Sequence, residues 1–492
     1  MADRMSPQDA SFLHIEDERN YMHIGSVAVF EGPPPPHDQF LRMVAGRLPL
    51  VPRYRQRVGT VPFDLGRPVW VDDEHFQLDY HVRRTALPRP GGREELRNLA
   101  SRVMSQRLDR GKPLWEMWVA EGLEDDHWAL ISKVHHAMVD GIASSDLLTV
   151  LLDASPEQSA PIPDPWRPEP EPSGVRLAGE AVVDYLVNPY EQWRAARAAT
   201  RVPRQLLDQA ARQAIDVGRG LASLAGLMRQ APPTTLMGRV GPHRRWAWAR
   251  VPLEDVKAVR SALGGTVNDV VLSVITRGFA DLLIAHGEPP EERVVRSLVP
   301  VSVRQPTDRG VYDNRVSAVF AELPVHVQDP VARLEAVRRQ MDRLKRSGQA
   351  VAAQTLTSMS GFAPPLLLAL GTRVAVTAAR RVQPRSVATV TTNVPGPQHP
   401  LYALGRRLVE ALPYVPIAAP MRVGVAIYSY DGWLHFGVTG DYDGVKDVDV
   451  LARGIEAGML ELVKAAGAEP HMELPPPTGV PPFDHEQPTD ES

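Results

Sequence analysis

Two adjacent histidines, His135 and His136, open a seven-residue segment that ends with Asp140 and Gly141. A strand that runs into this segment points successive side chains to opposite faces, so only one imidazole can face a given cleft. A histidine with a near-neutral pKa can take a proton from a hydroxyl group and return it to a leaving group. Asp140 can order the turn, and Gly141 permits tight backbone packing. The segment therefore predicts acid–base chemistry at a strand end.

The same spacing has two other interpretations. A hydrogen-bonded core histidine beside a helix cap produces the same pattern, and short motifs often occur without function. A zinc site is disfavoured, because adjacent histidines do not match the spacing of a helical zinc motif and no third ligand is apparent. We expect no metal, and the pattern alone leaves the catalytic and the core interpretations open.

Composition narrows the classes of function. The 492 residues include 55 Lys and Arg against 59 Asp and Glu, a net charge of -4, so no global field favours nucleic acid. The chain has no cysteine, which excludes disulfides and thiol nucleophiles. The acidic N-terminus lacks the pattern of a secretory signal. The most apolar stretch, residues 364–379, is shorter than the roughly 20 apolar residues of a spanning helix. We expect a cytoplasmic protein whose membrane contact is peripheral.

Local patterns predict the elements that must position the histidines. Two apolar runs, residues 114–123 and 128–134, flank an acidic turn and predict a hairpin whose second strand leads into His135. Residues 78–83 predict another strand, and residues 142–152 predict a helix. The histidine segment therefore connects a strand to a helix.

Composition divides the chain into four parts. Seven prolines lie between residues 155 and 173, which indicates an extended linker. The predicted parts are an N-terminal subdomain, a linker with a helical segment, a C-terminal subdomain and a disordered tail, at residues 1–154, 155–243, 244–468 and 469–492.

Several segments resemble those of the bacterial wax ester synthase and acyl-CoA:diacylglycerol acyltransferase enzymes, which belong to the HxxxD superfamily of CoA-dependent acyltransferases. These segments occur in the family's order over roughly residues 5 to 465. Besides the histidine segment they are residues 6–25, the Pro-Leu-Trp of 113–115, the Thr-Val-Asn-Asp-Val of 266–270, 299–304 and the Asn-Val-Pro-Gly-Pro of 393–397.

The resemblance implies an α/β fold with mixed sheets, in which two chloramphenicol-acetyltransferase-like subdomains enclose the active site in a tunnel. It implies that His136 is the general base, which deprotonates the acceptor hydroxyl and then protonates the leaving CoA thiolate without a covalent acyl-enzyme. His135 would pack on the opposite face. Asp140 would pair with an arginine, for which Arg304 is our candidate, and with Gly141 it would hold the turn.

The resemblance also implies roles for residues outside the histidine segment. Asn268 would donate its amide to a substrate or to the developing oxyanion, although a helix-capping role is the other interpretation. For Trp115 we prefer core packing that shapes the pocket indirectly. Glu16 matches a family position near the site, and its other interpretation is a solvated surface charge. Thr392 stands where the family often has serine, and it keeps the hydroxyl group. The candidate substrate-channel residues are Glu16, Pro113, Leu114, Trp115, Thr392 and Asn393.

The function implied by the resemblance is transfer of a long acyl chain from acyl-CoA to the hydroxyl group of diacylglycerol, with long-chain alcohols as further acceptors. Acyl-CoA is a substrate, and we expect no cofactor and no nucleic acid. The expected partner is a peripheral membrane or lipid-droplet surface. Two alternatives remain: a non-catalytic lipid-binding or droplet-associated protein, and a condensation-type acyltransferase that uses a carrier-protein donor.

Overall fold

The predicted mixed α/β architecture is confirmed by a computed structural model, which describes residues 3–62, 66–138, 150–180, 234–302, 316–346 and 387–474. In these ranges the strands form two sheets of six strands and one sheet of three. None of the helices in the same ranges is long and apolar enough to cross a membrane. The predicted helix over 142–152 lies almost entirely outside them, as do most of the helical segment before residue 234 and most of the C-terminal tail.

The elements of the described ranges are numbered in chain order. The strands are β1 (Asp3–Arg4), β2 (His23–Phe30), β3 (Gln56–Gly59), β4 (Val69–Asp72), β5 (Val82–Ala86), β6 (Trp115–Glu121), β7 (Trp128–His135), β8 (Arg244–Pro252), β9 (Val295–Ser302), β10 (Val316–Leu323), β11 (Thr389–Pro395), β12 (Tyr402–Ala403), β13 (Arg406–Tyr414), β14 (Val423–Tyr430) and β15 (Trp433–Asp441). The helices are α1 (Pro7–Ile15), α2 (His37–Arg47), α3 (Leu78–His81), α4 (Arg93–Met104), α5 (Leu253–Leu263), α6 (Val267–Ala285), α7 (Pro330–Arg346) and α8 (Val448–Ala465).

The N-terminal sheet has the strand order β12-β13-β2-β7-β6-β5. Its centre is the predicted hairpin: β6 and β7 pair antiparallel, and Trp115 lies opposite Val134. Asp125 and Asp126 of the acidic turn both have positive φ angles, a conformation that Asp tolerates better than most residues. The hairpin prediction is confirmed, and the paired strands deliver the chain to His135.

The C-terminal sheet has the order β10-β9-β11-β14-β15-β8, with β11 parallel to both of its neighbours. The long helices α6 and α8 pack against each other and help to bury its apolar face. Helix α6 begins where Thr266 and Asp269 form a reciprocal cap: the Asp269 carboxylate accepts from the Thr266 N–H at 2.8 Å, and Thr266 Oγ1 accepts from the Asp269 N–H at 3.2 Å.

One segment of the C-terminal half belongs to the N-terminal sheet. β13 pairs with β2 from Leu408 to Tyr414, so residues 402–414 extend the sheet that carries the histidines. Gly437 of β15 lies so close to the Pro413 carbonyl that a β-carbon would overlap it, which brings the two sheets together. The predicted subdomain of residues 244–468 therefore does not correspond to one sheet, because alternation predicts a strand but not the edge at which it pairs.

The proline-rich segment of residues 155–173 forms no helix or strand, and it packs against the N-terminal half. The Arg55 guanidinium donates to Asp164 through both terminal nitrogens, with one distance of 3.0 Å, and lies 4.8 Å from the centre of the Trp166 ring. Trp166 also meets Phe76 edge to face. These contacts fix the segment to the surface of the N-terminal half.

The predicted strand at residues 78–83 is wrong in its first half. Leu78–His81 forms the helical turn α3, and β5 begins only at Val82. The His81 ring stacks on Trp115 at 4.6 Å, and its Nδ1 lies 2.8 Å from the Trp115 carbonyl oxygen. These long-range contacts favour the turn over the extended conformation that the local pattern indicates.

Candidate active site

The backbone around the two histidines is held from both neighbouring strands. β7 ends at His135, and a 3₁₀ turn over His136–Met138 follows. The His135 N–H donates to the Leu114 carbonyl at 2.9 Å, and the His136 N–H donates to the Met22 carbonyl at 2.7 Å. The turn therefore starts from a fixed position, from which the two imidazoles point in different directions.

His135 is buried and keeps a neutral ring. Its Nδ1 accepts a hydrogen bond from the Ala137 N–H at 3.1 Å, which assigns the ring proton to Nε2. Nε2 lies 3.6 Å from Oε1 of Glu16. Burial lowers the pKa of His135 to about 4, against the opposing effect of the nearby Glu16 charge. A neutral, fully enclosed imidazole suits the packing role that the resemblance implies for His135.

His136 is partly buried and contacts an aromatic ring. Its imidazole stacks on Phe12 of α1, with ring centres 4.0 Å apart and an interplanar angle of 24°. Burial lowers the pKa of His136 below its ordinary value. The ring is therefore neutral near pH 7, which is the form that a general base requires.

Glu16 is a buried anion, and the alternative of a solvated surface charge is wrong. Its side chain is 1% exposed and lies at the end of α1. The carboxylate accepts from Arg107 at 3.2 Å and from Arg110 at 2.7 and 2.9 Å. These two arginines were not found by the sequence reasoning, because nothing local distinguishes them from solvated arginines. Oε1 of Glu16 lies 3.6 Å from Nε2 of His135, so the carboxylate contacts an imidazole in addition to the two arginines.

The Pro-Leu-Trp segment is buried and supports the hairpin. The Leu114 carbonyl binds the His135 N–H, as described above, and Pro113 is buried beside it. The Trp115 indole is 1% exposed and donates to the Tyr54 carbonyl at 2.7 Å. Trp115, Met117 and Val119 all belong to the core of the N-terminal half. Their contacts fit the packing role, in which the segment sets the position of the histidine turn.

Asn268 is not the residue that caps α6. Thr266 and Asp269 form the cap, which leaves the Asn268 side chain for another contact. The Asn393 side-chain amide lies 3.5 Å from Oδ1 of Asn268. The structure therefore brings together two candidate residues that are 125 positions apart in the chain.

Thr392 and Asn393 lie on opposite faces of the C-terminal sheet. Asn393 pairs with Ile427, which faces the helices, whereas Thr392 pairs with Ala426. Successive residues of a strand alternate between faces, and Gly437, opposite Ala426, approaches β13 of the N-terminal sheet. Only Thr392 of the two candidates is on the face that meets the histidine-bearing sheet.

Residues of the C-terminal half also hold the loop between α1 and β2. Buried Arg244 donates to the Arg19 carbonyl, and the Ala419 N–H donates to the Asn20 side-chain carbonyl at 2.9 Å. The loop ends at Met22, whose carbonyl accepts the hydrogen bond from the His136 N–H. The buried position of Arg244 was not predicted from the sequence, because nothing local distinguishes it from a solvated arginine.

Three predicted residues, Asp140, Gly141 and Arg304, lie outside the described residues. In the ranges that the structure covers, no group of three His, Asp or Glu side chains is arranged to hold a metal ion.

Two six-stranded mixed sheets, one of which is extended by β13 from the other half of the chain, together with a histidine pair at a strand end, are typical of the two-subdomain acyltransferases. Residues 5–271 match the family model of the wax ester synthase/diacylglycerol acyltransferase catalytic domain, and residues 312–463 match that of the WS/DGAT C-terminal domain. The chain belongs to the wax ester synthase/diacylglycerol acyltransferase family. The predicted family, fold class and enzyme class are confirmed.

Individual relatives agree with this assignment. A Mycobacterium tuberculosis protein described as a probable diacylglycerol O-acyltransferase, tgs1, is 41% identical over 458 residues, which is 92% of this chain and 94% of that protein. The solved wax ester synthase/diacylglycerol acyltransferase of Marinobacter aquaeolei VT8 is 25% identical, covers 94% of this chain and 100% of its own, and superposes with a TM-score of 0.66. The first condensation domain of the calcium-dependent antibiotic synthetase shares the fold at 15% identity, with coverage of 96% and 99% and a TM-score of 0.56.

Proposed function

We propose that the protein transfers a long acyl chain from acyl-CoA to the free hydroxyl group of diacylglycerol, and that long-chain alcohols are further acceptors. The family assignment and the description of the mycobacterial relative support the reaction and the acceptor. The observation that carries the proposal is His136, a neutral and partly buried imidazole at a fixed strand end. We propose that the reaction needs no cofactor, since acyl-CoA and the acceptor alcohol are both consumed as substrates.

The reaction needs one base that later acts as an acid. His136 takes the proton of the acceptor hydroxyl while the oxygen attacks the thioester carbonyl. The carbon–sulfur bond then breaks, the ester forms, and the protonated imidazole returns its proton to the CoA thiolate. The histidine ends the cycle as it began, and no acyl-enzyme is required. A lowered pKa keeps the base ready at neutral pH and makes the imidazolium a stronger acid for the second step.

Other residues support this step. Asn268, whose amide is not used in capping α6, is our candidate donor to the substrate or to the oxyanion that forms on the thioester carbonyl. Thr392 is a candidate for the substrate channel between the two sheets. For Asp140 and Arg304 we keep the role of an ion pair that holds the turn.

An acyl-transfer assay tests the proposal. Purified protein is incubated with radiolabelled acyl-CoA and either diolein or hexadecanol, and the esters are separated. We expect triacylglycerol from the wild type and loss of both products in His136→Ala. His399→Ala, which removes an exposed histidine, is the matched control and keeps activity. Full activity in His136→Ala would refute the base assignment. Product from an acyl carrier protein but not from acyl-CoA would refute the donor.

We further propose that the protein works in the cytoplasm at a membrane or lipid-droplet surface, where its acceptor resides. Flotation with liposomes that contain diolein tests this. We expect the protein to float with the vesicles and to return to the bottom fraction when they are omitted. Absence from the vesicle fraction would contradict surface association.

A further inference from the structure

The Phe12–His136 contact is a side-chain interaction that the acyl-transfer mechanism does not use. The two rings are nearly parallel at 4.0 Å, closer than most aromatic pairs. Nδ1 of His136 is buried and has no hydrogen-bond partner within the described ranges. The phenyl ring is therefore a described side chain that can limit rotation of the imidazole.

Helix α1, which carries Phe12, is anchored by hydrogen bonds at both of its ends. At its start, Ser6 Oγ accepts from the Asp9 N–H at 3.1 Å. At its end, Arg110 donates to the Leu13 carbonyl at 2.7 Å and also binds Glu16. The helix lies against the turn that carries His136.

Phe12 and Glu16, the residue that immediately follows α1, are four residues apart, so they lie on the same side of the helix. Phe12 contacts His136, and Glu16 lies beside His135. One short helix therefore presents a separate side chain to each histidine. An element anchored in this way can fix the orientation of a ring that it contacts.

We propose that Phe12 is a positioning residue for His136: its ring keeps the imidazole in the orientation that accepts the proton of the acceptor hydroxyl. This inference rests on the proposed function. In this role Phe12 contacts neither reacting atom and acts through the imidazole. Orientation of a general base matters because small displacements from the reactive geometry cost large factors in rate.

Substitutions at Phe12 and at its neighbour separate positioning from general stability. Phe12→Leu keeps an apolar side chain but loses the flat ring, whereas Phe12→Tyr keeps the ring. Leu13→Ala is the matched control, because Leu13 is buried in the core from the same helix and its side chain has no described contact with either histidine. Phe12→Met is a second ring-deleting variant in case Phe12→Leu does not fold.

We expect Phe12→Leu to lower kcat about 10- to 100-fold, with KM for acyl-CoA changed less than about twofold, and Phe12→Tyr to restore most of kcat. The pH profile gives a second readout. Loss of the phenyl ring leaves His136 more exposed to water, which raises its pKa. The fall of kcat/KM in acid therefore moves to higher pH. The nearby charged groups Glu16, Arg107 and Arg110 act on the pKa of His135 and are unchanged in this variant. Leu13→Ala should lower the melting temperature without moving the pH profile.

Two results would overturn the inference. The first is a Phe12→Leu or Phe12→Met protein with wild-type kcat and pH profile. The second is an equal loss of kcat in Leu13→Ala and Phe12→Leu, which would indicate general destabilisation. An inactive His136→Ala together with a fully active Phe12→Leu rejects only the positioning role, whereas an active His136→Ala rejects the proposed base.

Discussion

The carboxylate of Glu16 lies 3.6 Å from Nε2 of His135 and is bound on its other side by Arg107 and Arg110. The two guanidinium groups compensate a charge that would otherwise be costly to bury. Since the Ala137 N–H occupies Nδ1 of His135, the ring presents its Nε2 proton to the carboxylate. At 3.6 Å this contact is electrostatic and too long for a hydrogen bond, and through it the buried Glu16 side chain supports the histidine turn.

Replacing Glu16 by glutamine tests this support. We expect Glu16→Gln to lower kcat about tenfold and the free energy of unfolding by about 1 to 3 kcal/mol, because the arginines lose a charged acceptor. Assays of kcat and urea denaturation measure both quantities. Glu18→Gln is the control, since Glu18 is exposed. A stable variant with unchanged kcat would show that the carboxylate is dispensable.

The pH dependence of the reaction follows from His136. A base is active when neutral, and burial lowers the pKa of this imidazole. The value of kcat/KM should therefore fall as the pH drops, with its midpoint below the ordinary histidine pKa of about 6.5. The midpoint is measured as kcat/KM for acyl-CoA over a series of pH values, with the acceptor at a saturating concentration. A midpoint above that value would contradict a desolvated base.

Two substitutions at the start of α6 should separate function from capping. Asn268→Ala should reduce kcat/KM with little change in the melting temperature, because its side chain does not cap the helix. Thr266→Ala should lower the free energy of unfolding by about 1 kcal/mol through loss of the cap. Enzyme assays and thermal denaturation compare the pair. The reverse pattern would assign capping to Asn268.

The protein should lose stability in acid because several histidines are buried as neutral rings. Burial lowers the pKa of His81 and His135 to about 4 and that of His435 to about 3. Unfolded histidines bind protons near pH 6.5, so stability is full above that pH and falls as the pH drops toward the folded-state values. Denaturant titrations between pH 7.5 and about 4.5 should show this decline.

His435→Phe provides a sharper version of that test. Neither ring nitrogen of His435 has a partner among the described residues, and the ring is 1% exposed. The variant should be at least as stable at pH 7.5, since an unpaired buried polar group is removed, and less sensitive to acid. An unchanged acid slope would mean that His435 does not contribute to it.

The proline-rich segment should stabilise the N-terminal half through Asp164. Asp164→Ala leaves Arg55, whose side chain is 5% exposed, without its carboxylate, and should cost about 1 to 3 kcal/mol in the free energy of unfolding. Asp38→Ala is the matched control. It breaks an exposed ion pair with Arg42, with side chains 66% and 70% exposed, and should change the free energy of unfolding much less than Asp164→Ala does. Equal effects would mean that the segment is not docked in solution.

The sequence by itself determined the family and the hairpin before His135. The hairpin could be predicted because apolar, β-prone runs and an acidic turn between them are local signals. The order of the family segments favoured the catalytic interpretation of the histidine pair over the core interpretation. The spacing of the two histidines alone did not distinguish them.

Only the tertiary structure decided which residues surround the histidines. Phe12 and Glu16 precede the pair by more than a hundred residues, and β13 joins the N-terminal sheet from the other half of the chain. Periodicity describes a residue's own element, whereas strand pairing and burial depend on contacts between distant segments. The sequence therefore predicted that a histidine acts at a strand end, and the packing of α1 and β13 decided how that histidine is held.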